Sequence, residues 1–362
     1  MAYKSQKKLS NISISKGIGI ILMVIGHIFV CSDYMIVHNF IYAFHMPLFF
    51  MISGYCFSER HLENLGGYVK RKMFSLYYPY VFWLVLFVIL HNFLIDINIY
   101  DINNLWGCYS YYTEDSLIKQ IYNIVFYLDG KEILVGQLWF VRTLFFVSLF
   151  GFFVIKYFIS HLQTIILLSL CLSPLICYIN FDKLPYLHLN NWIFYGLTMF
   201  LLGYYFKISN KQFNNTFMVL LSMIIISLVA LFQPVTHPYY RNIYLYICTS
   251  ILGFISILTI SNKLANRNIG KIFKYLGDRT MPILILHFIF FRITTWCIII
   301  TRNDNISLLS NHPLPKAYAN NYWYIYIIFG IALPILTYRM YLAIKGSILL
   351  MKNSHITNLK IF

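Results

Sequence analysis

Ten apolar runs of membrane-spanning length constrain this chain more than any other feature. They cover residues 15–32, 37–57, 73–95, 138–158, 162–180, 191–206, 216–233, 242–260, 280–300 and 322–343. A helix rising about 1.5 Å per residue crosses roughly 30 Å of hydrocarbon in about 20 residues. Lipid offers the backbone no hydrogen bonds, so segments of this kind are expected as helices, which satisfy their own. Only 11% of the residues are charged, against about 25% in a soluble domain. Most of the surface is therefore expected to avoid water. The expected fold is all-α: one polytopic bundle of about ten transmembrane helices, with residues 1–362 forming a single domain. The first run could pass for a signal peptide, but no small-residue cleavage site follows it and the next apolar run begins within a few residues.

The basic residues orient the bundle. With the N-terminus placed in the cytoplasm, twenty Lys and Arg fall on inner segments and six on outer ones, as the positive-inside rule requires. The expected location is the plasma (inner) membrane, multi-pass, with both termini cytoplasmic. The one long connection, 96–137, falls outside and is acidic, and residues 116–128 within it are expected as an interfacial helix. The net charge of +16 is spread between apolar runs rather than gathered on a basic domain, which argues against a nucleic-acid partner. Membrane lipid is the expected surroundings. Seven cysteines without a CxxC pair read as small buried residues, not as metal ligands or a disulfide framework.

Ionisable groups inside a bilayer are costly and tend to mark function. Lys16 and His27 are eleven residues apart, which places them on one helix face about 16 Å apart along the axis. In one reading Lys16 attracts an anionic ligand and His27 moves a proton. In the other Lys16 snorkels to the surface and His27 hydrogen-bonds a neighbouring helix. Gly19 and Gly26 fall near the same face and would admit a helix or a ligand. The second span reads FHMPLFFMISGY, with His45 as a second imidazole and Pro47 as an expected interruption. Lys70, Arg71 and Lys72 precede the third span, suited equally to phosphates, to anionic lipid and to topology alone. Arg142 lies just inside the fourth span, beside Trp139, a candidate platform for a sugar ring. His287 is a third imidazole, and Arg292 after it is expected to pair within the bundle. No Gly-rich phosphate loop, HExxH or GxSxG occurs.

Taken in order, several of these segments resemble acyltransferase family 3, the integral-membrane O-acyltransferases, and within it the fucose 4-O-acetylase-related branch. The resemblance rests on Lys16 followed by ten residues and His27, FHMPLFFMISG, the basic cluster at 70–72, LWF at 138–140, FLLGYYFK at 200–207 and LGDRTMPILILHF at 276–288. It covers a core of about residues 11–345. It implies acetyl-CoA or a similar acyl-CoA as donor substrate, no tightly bound cofactor, and a carbohydrate acceptor on a surface polysaccharide or lipid-linked glycan. It implies that His27, with His45 in support, is catalytic, that Lys16, Lys70, Arg71 and Lys72 meet the donor, and that Trp139 and Arg142 meet the acceptor. The competing expectation is a transporter or flippase of a lipid-linked sugar or organic anion. The near absence of intramembrane carboxylates weighs against a proton-coupled one.

The orientation is testable. A lone cysteine at position 115 should react with an impermeant thiol reagent added from outside intact cells. Reaction only from the cytoplasmic side would overturn the assignment of every later span.

Overall fold

The expected runs are largely helical in the computed structural model, which describes residues 2–101, 110–178, 191–209, 214–234 and 242–358, so that the end of the fifth run, 179–180, lies outside the described residues. Among these there is no strand. Helix α1 (Ala2–Phe29) is followed by α2 (Met35–Tyr42), α3 (His45–Tyr55), α4 (Leu65–Lys72), α5 (Tyr78–Asp96), α6 (Glu114–Tyr122) and α7 (Trp139–Phe158). Then come α8 (Leu162–Tyr178), α9 (Asn191–Ile208), α10 (Thr216–Phe232), α11 (Ile243–Leu264), α12 (Asn268–Gly277), α13 (Thr280–Arg302), α14 (Lys316–Asn321) and α15 (Trp323–Asn358). Seven helical stretches among the described residues are long and apolar enough to cross a membrane. One of them, Ile133–Leu175, holds both α7 and α8; α10, at 17 residues, is apolar but shorter. The protein is thus an all-α, multi-pass membrane protein. Four basic residues of the charge count, Lys183, Lys211, Arg241 and Lys360, lie outside the described residues.

At the centre runs α1, which touches α2, α3, α11, α12, α13 and α15. Two glycines let α12 cross it backbone to backbone. A Cβ on Gly17 would overlap the Phe273 carbonyl, and one on Gly277 the Ser13 carbonyl. The same device joins α3 to α9, through Gly54 beside the Phe200 carbonyl and Gly203 beside that of Met51. FHMPLFFMISG and FLLGYYFK are thus two sides of one close crossing, the small-residue packing that stands in for hydrophobic drive within lipid.

Three details differ from the expectation. The second span breaks at Ala43–Phe44, with Phe44 at φ −151°, and Pro47 sits in the first turn of α3. Proline is tolerated there because first-turn N–H groups have no intrahelical partner. The basic cluster precedes the third span, as expected, but as helix. It forms the last turn of α4, which runs through a π-helical segment, Met73–Tyr77, into α5.

The third difference is the segment expected to lie along the interface. Asn92 holds Tyr112 through two hydrogen bonds, Nδ2 to the carbonyl at 2.9 Å and Oδ1 from the amide at 2.8 Å. From there α6 and a second π-helical segment, Asn123–Tyr127, run back along α5. The Tyr77 hydroxyl donates to Val125 O at 2.8 Å and that of Tyr80 to Leu128 O. The segment is therefore re-entrant. Its polar residues Glu114, Asp115 and Lys119 lie at its start and apolar Ile124, Val125 and Phe126 at its deep end. Buried Glu132 anchors the return. It accepts from His91 Nδ1 at 3.0 Å, from Tyr100 at 3.0 Å and from Tyr112 at 3.3 Å. Irregular backbone at this depth is tolerated only when protein surrounds it.

Gly54→Ala should cost about 1–3 kcal/mol of stability by overpacking the α3–α9 crossing. Gly136→Ala, where a Cβ meets nothing within 4 Å, should be near neutral. Thermal melting of the two variants in detergent checks the contrast, and equal melting temperatures would remove the crossing from the account.

Candidate active site

A cavity of about 400 Å³ opens at the end of the bundle where α1, α4 and α13 bring their basic or N-terminal residues together. Lys16 from α1 and Arg71 and Lys72 from α4 line it, with His61 and Thr280. Three of the four residues expected to meet an anionic donor therefore converge from two separate helices. Lys70 does not line it. Consecutive residues of a helix point about 100° apart, so three in a row cannot share one face, and Lys70 is exposed.

Polar contacts hold the cations in place. Arg71 Nη1 donates to His61 Nε2 at 3.4 Å. Lys72 Nζ lies 5.4 Å from the centre of the Tyr68 ring, whose hydroxyl donates to Ser148 O at 3.0 Å. Burial holds the His61 pKa below its ordinary value of 6.5, and the charges of Arg71, Lys72 and Lys207 push the same way. The mouth is thus a concentration of positive charge beside a histidine kept neutral to accept from Arg71.

His27 lies deeper along α1, two turns beyond Ile20, which lines the cavity. On α13 the cavity-lining Leu284 precedes His287 by one turn. The two imidazoles stack with centroids 5.2 Å apart at 29°. His27 Nδ1 is 3.1 Å from the Tyr42 hydroxyl. Gly26 makes this possible, since a Cβ there would strike the Tyr42 ring. His45 Nδ1–H donates to Ile41 O at 3.1 Å, and His287 Nδ1–H donates to the carbonyls of Ile283 and Leu284 at 3.1 and 2.9 Å. These bonds fix the tautomer of each, and both Nε2 atoms are buried without a hydrogen-bond partner. His27 is only half-buried, whereas His45 and His287 are enclosed. Among the described residues no three His, Cys, Asp or Glu side chains group as metal ligands.

Lys16 and His27 thus stand at two levels of α1, the first lining the cavity and the second two turns beyond the last α1 residue that lines it. Trp139 and Arg142 are placed elsewhere. The cavity takes Phe140, Val141 and Leu144 from the same helix, while Trp139 stacks near Trp192 with centroids 4.9 Å apart. Arg292 does pair within the bundle. Its guanidinium donates to the carbonyls of Leu309, Ser310 and Asn311 and so ties down the segment after α13. Sequence reasoning missed Tyr42, His61 and Glu132. Tyr42 stands one turn before His45 but outside the stretch 44–55 singled out in the second span. The partners of Glu132 depend on the re-entrant path and carried no signal.

Compared with known families, residues 9–339 match the family 3 model described as an acyltransferase domain. No curated protein and no solved structure matches the chain.

Replacing Arg71 by Ala should raise the His61 pKa, because protonation of the imidazole would then face one cation fewer. Isotope-labelled histidine titrated by NMR in micelles reads this directly. An unmoved titration would show that His61 does not sense the cluster.

Proposed function

The chain belongs to this acyltransferase family, and from that premise we propose that it carries an acetyl group from cytoplasmic acetyl-CoA to a sugar hydroxyl of a surface polysaccharide or lipid-linked glycan. The observation that carries the proposal is the meeting of Lys16, Arg71 and Lys72 at one cavity, whose lining on α1 ends at Ile20, two turns before His27. In this scheme ten spans cross the plasma (inner) membrane and both termini are cytoplasmic, which puts the cationic mouth on the side where acyl-CoA is found. The donor phosphates meet Lys16, Arg71 and Lys72, with exposed Lys70 outside the mouth. The slender thioester arm passes Ile20 and Leu284 toward the imidazoles. Lys16 lacks the bidentate fork of Arg, so it acts as a point charge. No tightly bound cofactor is required.

His27 is the general base. In the tautomer that donates Nδ1–H to the Tyr42 oxygen, its Nε2 lone pair is free to take the proton of the attacking hydroxyl. Oxygen then bonds to the acyl carbon, the carbon–sulfur bond breaks, and CoA leaves as the thiolate that recovers the proton. Tyr42 positions the ring, as the third member of a nucleophile–base–orienter set does. His45 and His287 present bare Nε2 atoms nearby and serve as proton acceptors in support. Nothing in the transfer is assigned to Trp139 or Arg142, which line neither the cavity nor the histidine cluster.

General-base help is worth about 10²–10⁴ in rate. His27→Gln should lose that much kcat while folding normally, and Lys16→Ala should chiefly raise the KM for acetyl-CoA. Initial rates with radiolabelled acetyl-CoA and a glycan extract test both. Near-normal turnover of His27→Gln would eliminate the mechanism.

A further inference from the structure

The cavity that Lys16, Arg71 and Lys72 share stops short of His27 and His287, and a buried polar side chain stands at the level between. On α7 the cavity is lined by Phe140, Val141 and Leu144. Gln137 lies three and four residues before Phe140 and Val141, so it continues their stripe by one helical turn. The chain is already helical there, with Leu138 at φ −65° and ψ −14°. On α13 Leu284 lines the cavity, and His287 follows three residues later. The Gln137 amide meets α13 between the two. Its Nε2 donates to Ile285 O at 2.8 Å and lies 3.5 Å from Leu134 O. Two carbonyls facing one end of the amide fix that end as nitrogen. The other end, Oε1, is buried without a hydrogen-bond partner, and Gln137 is only 5% exposed.

We propose that Gln137 holds the donor arm, its Oε1 accepting the N–H of the amide that stands two methylenes before the sulfur of an acyl-CoA thioester. The proposal rests on the acyl transfer put forward above. A carboxamide oxygen only accepts, so the group that completes Oε1 is a donor. The cavity walls on the way, Ile20, Phe49, Phe140, Val141 and Leu284, are apolar. An amide N–H drawn past them leaves its water behind and needs an acceptor. Oε1 offers one on the stripe that the walls already form. The bare Nε2 atoms of His45 and His287 stand deeper, at the level of the base. The order along α13 also repeats the order along the arm. Thr280 and Met281 line the cavity first, then Leu284. Ile285 follows with the Gln137 amide on its carbonyl, and then His287, stacked on His27. The arm runs from phosphates to amide to thioester. Phosphates held at the mouth leave a long flexible chain free to wander. A hydrogen bond two methylenes from the sulfur fixes where the acyl carbon sits, and such orientation is what brings a bound group close to its attacker.

The test uses the full chain in nanodiscs, the glycan extract as acceptor, and two radiolabelled donors. One is acetyl-CoA. The other is its analogue in which oxygen replaces that one amide nitrogen, which removes the N–H and keeps the thioester, the phosphates and the length of the arm. The wild-type protein should use acetyl-CoA roughly 5–10-fold better in kcat/KM, the size of one hydrogen bond. Gln137→Met removes both amide groups from a side chain of similar length. It should use acetyl-CoA no better than the analogue. A Gln137 that merely ties its segment to Ile285 gives a different result, since Met would then slow both donors alike and the preference would survive. A preference that survives in Gln137→Met overturns the proposal. So does a wild-type protein that uses the two donors equally, a result that needs no variant and stands even where Gln137→Met melts early. A wild-type protein that moves no label from acetyl-CoA to sugar would instead defeat the acyl-transfer reading beneath it.

Discussion

Within hydrocarbon a polar group has only protein to bond to, and that constraint places nearly every buried ionisable side chain described above. Arg292 does not reach for a substrate, because its guanidinium is spent on three consecutive carbonyls. His38, His45 and His287 each give Nδ1–H to a backbone carbonyl. The same bonds that satisfy one nitrogen of His45 and His287 leave the other bare. His27 differs, since its Nδ1 meets a side-chain hydroxyl rather than a carbonyl. A hydroxyl both donates and accepts, so His27 alone of these four can exchange tautomers without losing its bond.

Much of the fold was legible because period and polarity report directly on lipid. The apolar runs became helices, and the expected face shared by Lys16 and His27 follows from helical geometry over eleven residues. Where the sequence misled, long-range contacts decided. Pro47 suggested an interruption at its own position, but a proline is at home in a first turn, and the chain breaks three residues earlier. Residues 116–128 have the mixed composition of a surface helix. Only the pairing of Asn92 with Tyr112 and of Tyr77 with Val125 shows that they turn inward. The basic triplet read as one cluster, yet helical twist sends Lys70 away from the cavity that Arg71 and Lys72 line.

The candidate site was legible in part for the same reason. Lys16, His27, His45 and His287 are conspicuous as ionisable groups in apolar runs. Tyr42 is not, because tyrosine is common throughout this chain, and its role depends on the space that Gly26 leaves for its ring. Family likeness and geometry contribute separately here. The first says that an acyl group moves, and the second shows which side chains stand at each level of α1.

The re-entrant segment bears on how the protein is made. Glu114, Asp115 and Lys119 stand at its start, and a charge is costly at depth, so only the part that follows them can run inward. Among the described residues, its apolar end and the buried Glu132 bond to α5 and to the loop beside it. The segment therefore cannot partition as an independent hairpin arm during synthesis. It docks only once α5 is in place, laying buried Ile124 inward while Ile118, Tyr122 and Phe126 stay on its exposed face. Assembly of this bundle is in that sense ordered, with a late step that belongs to folding rather than to insertion.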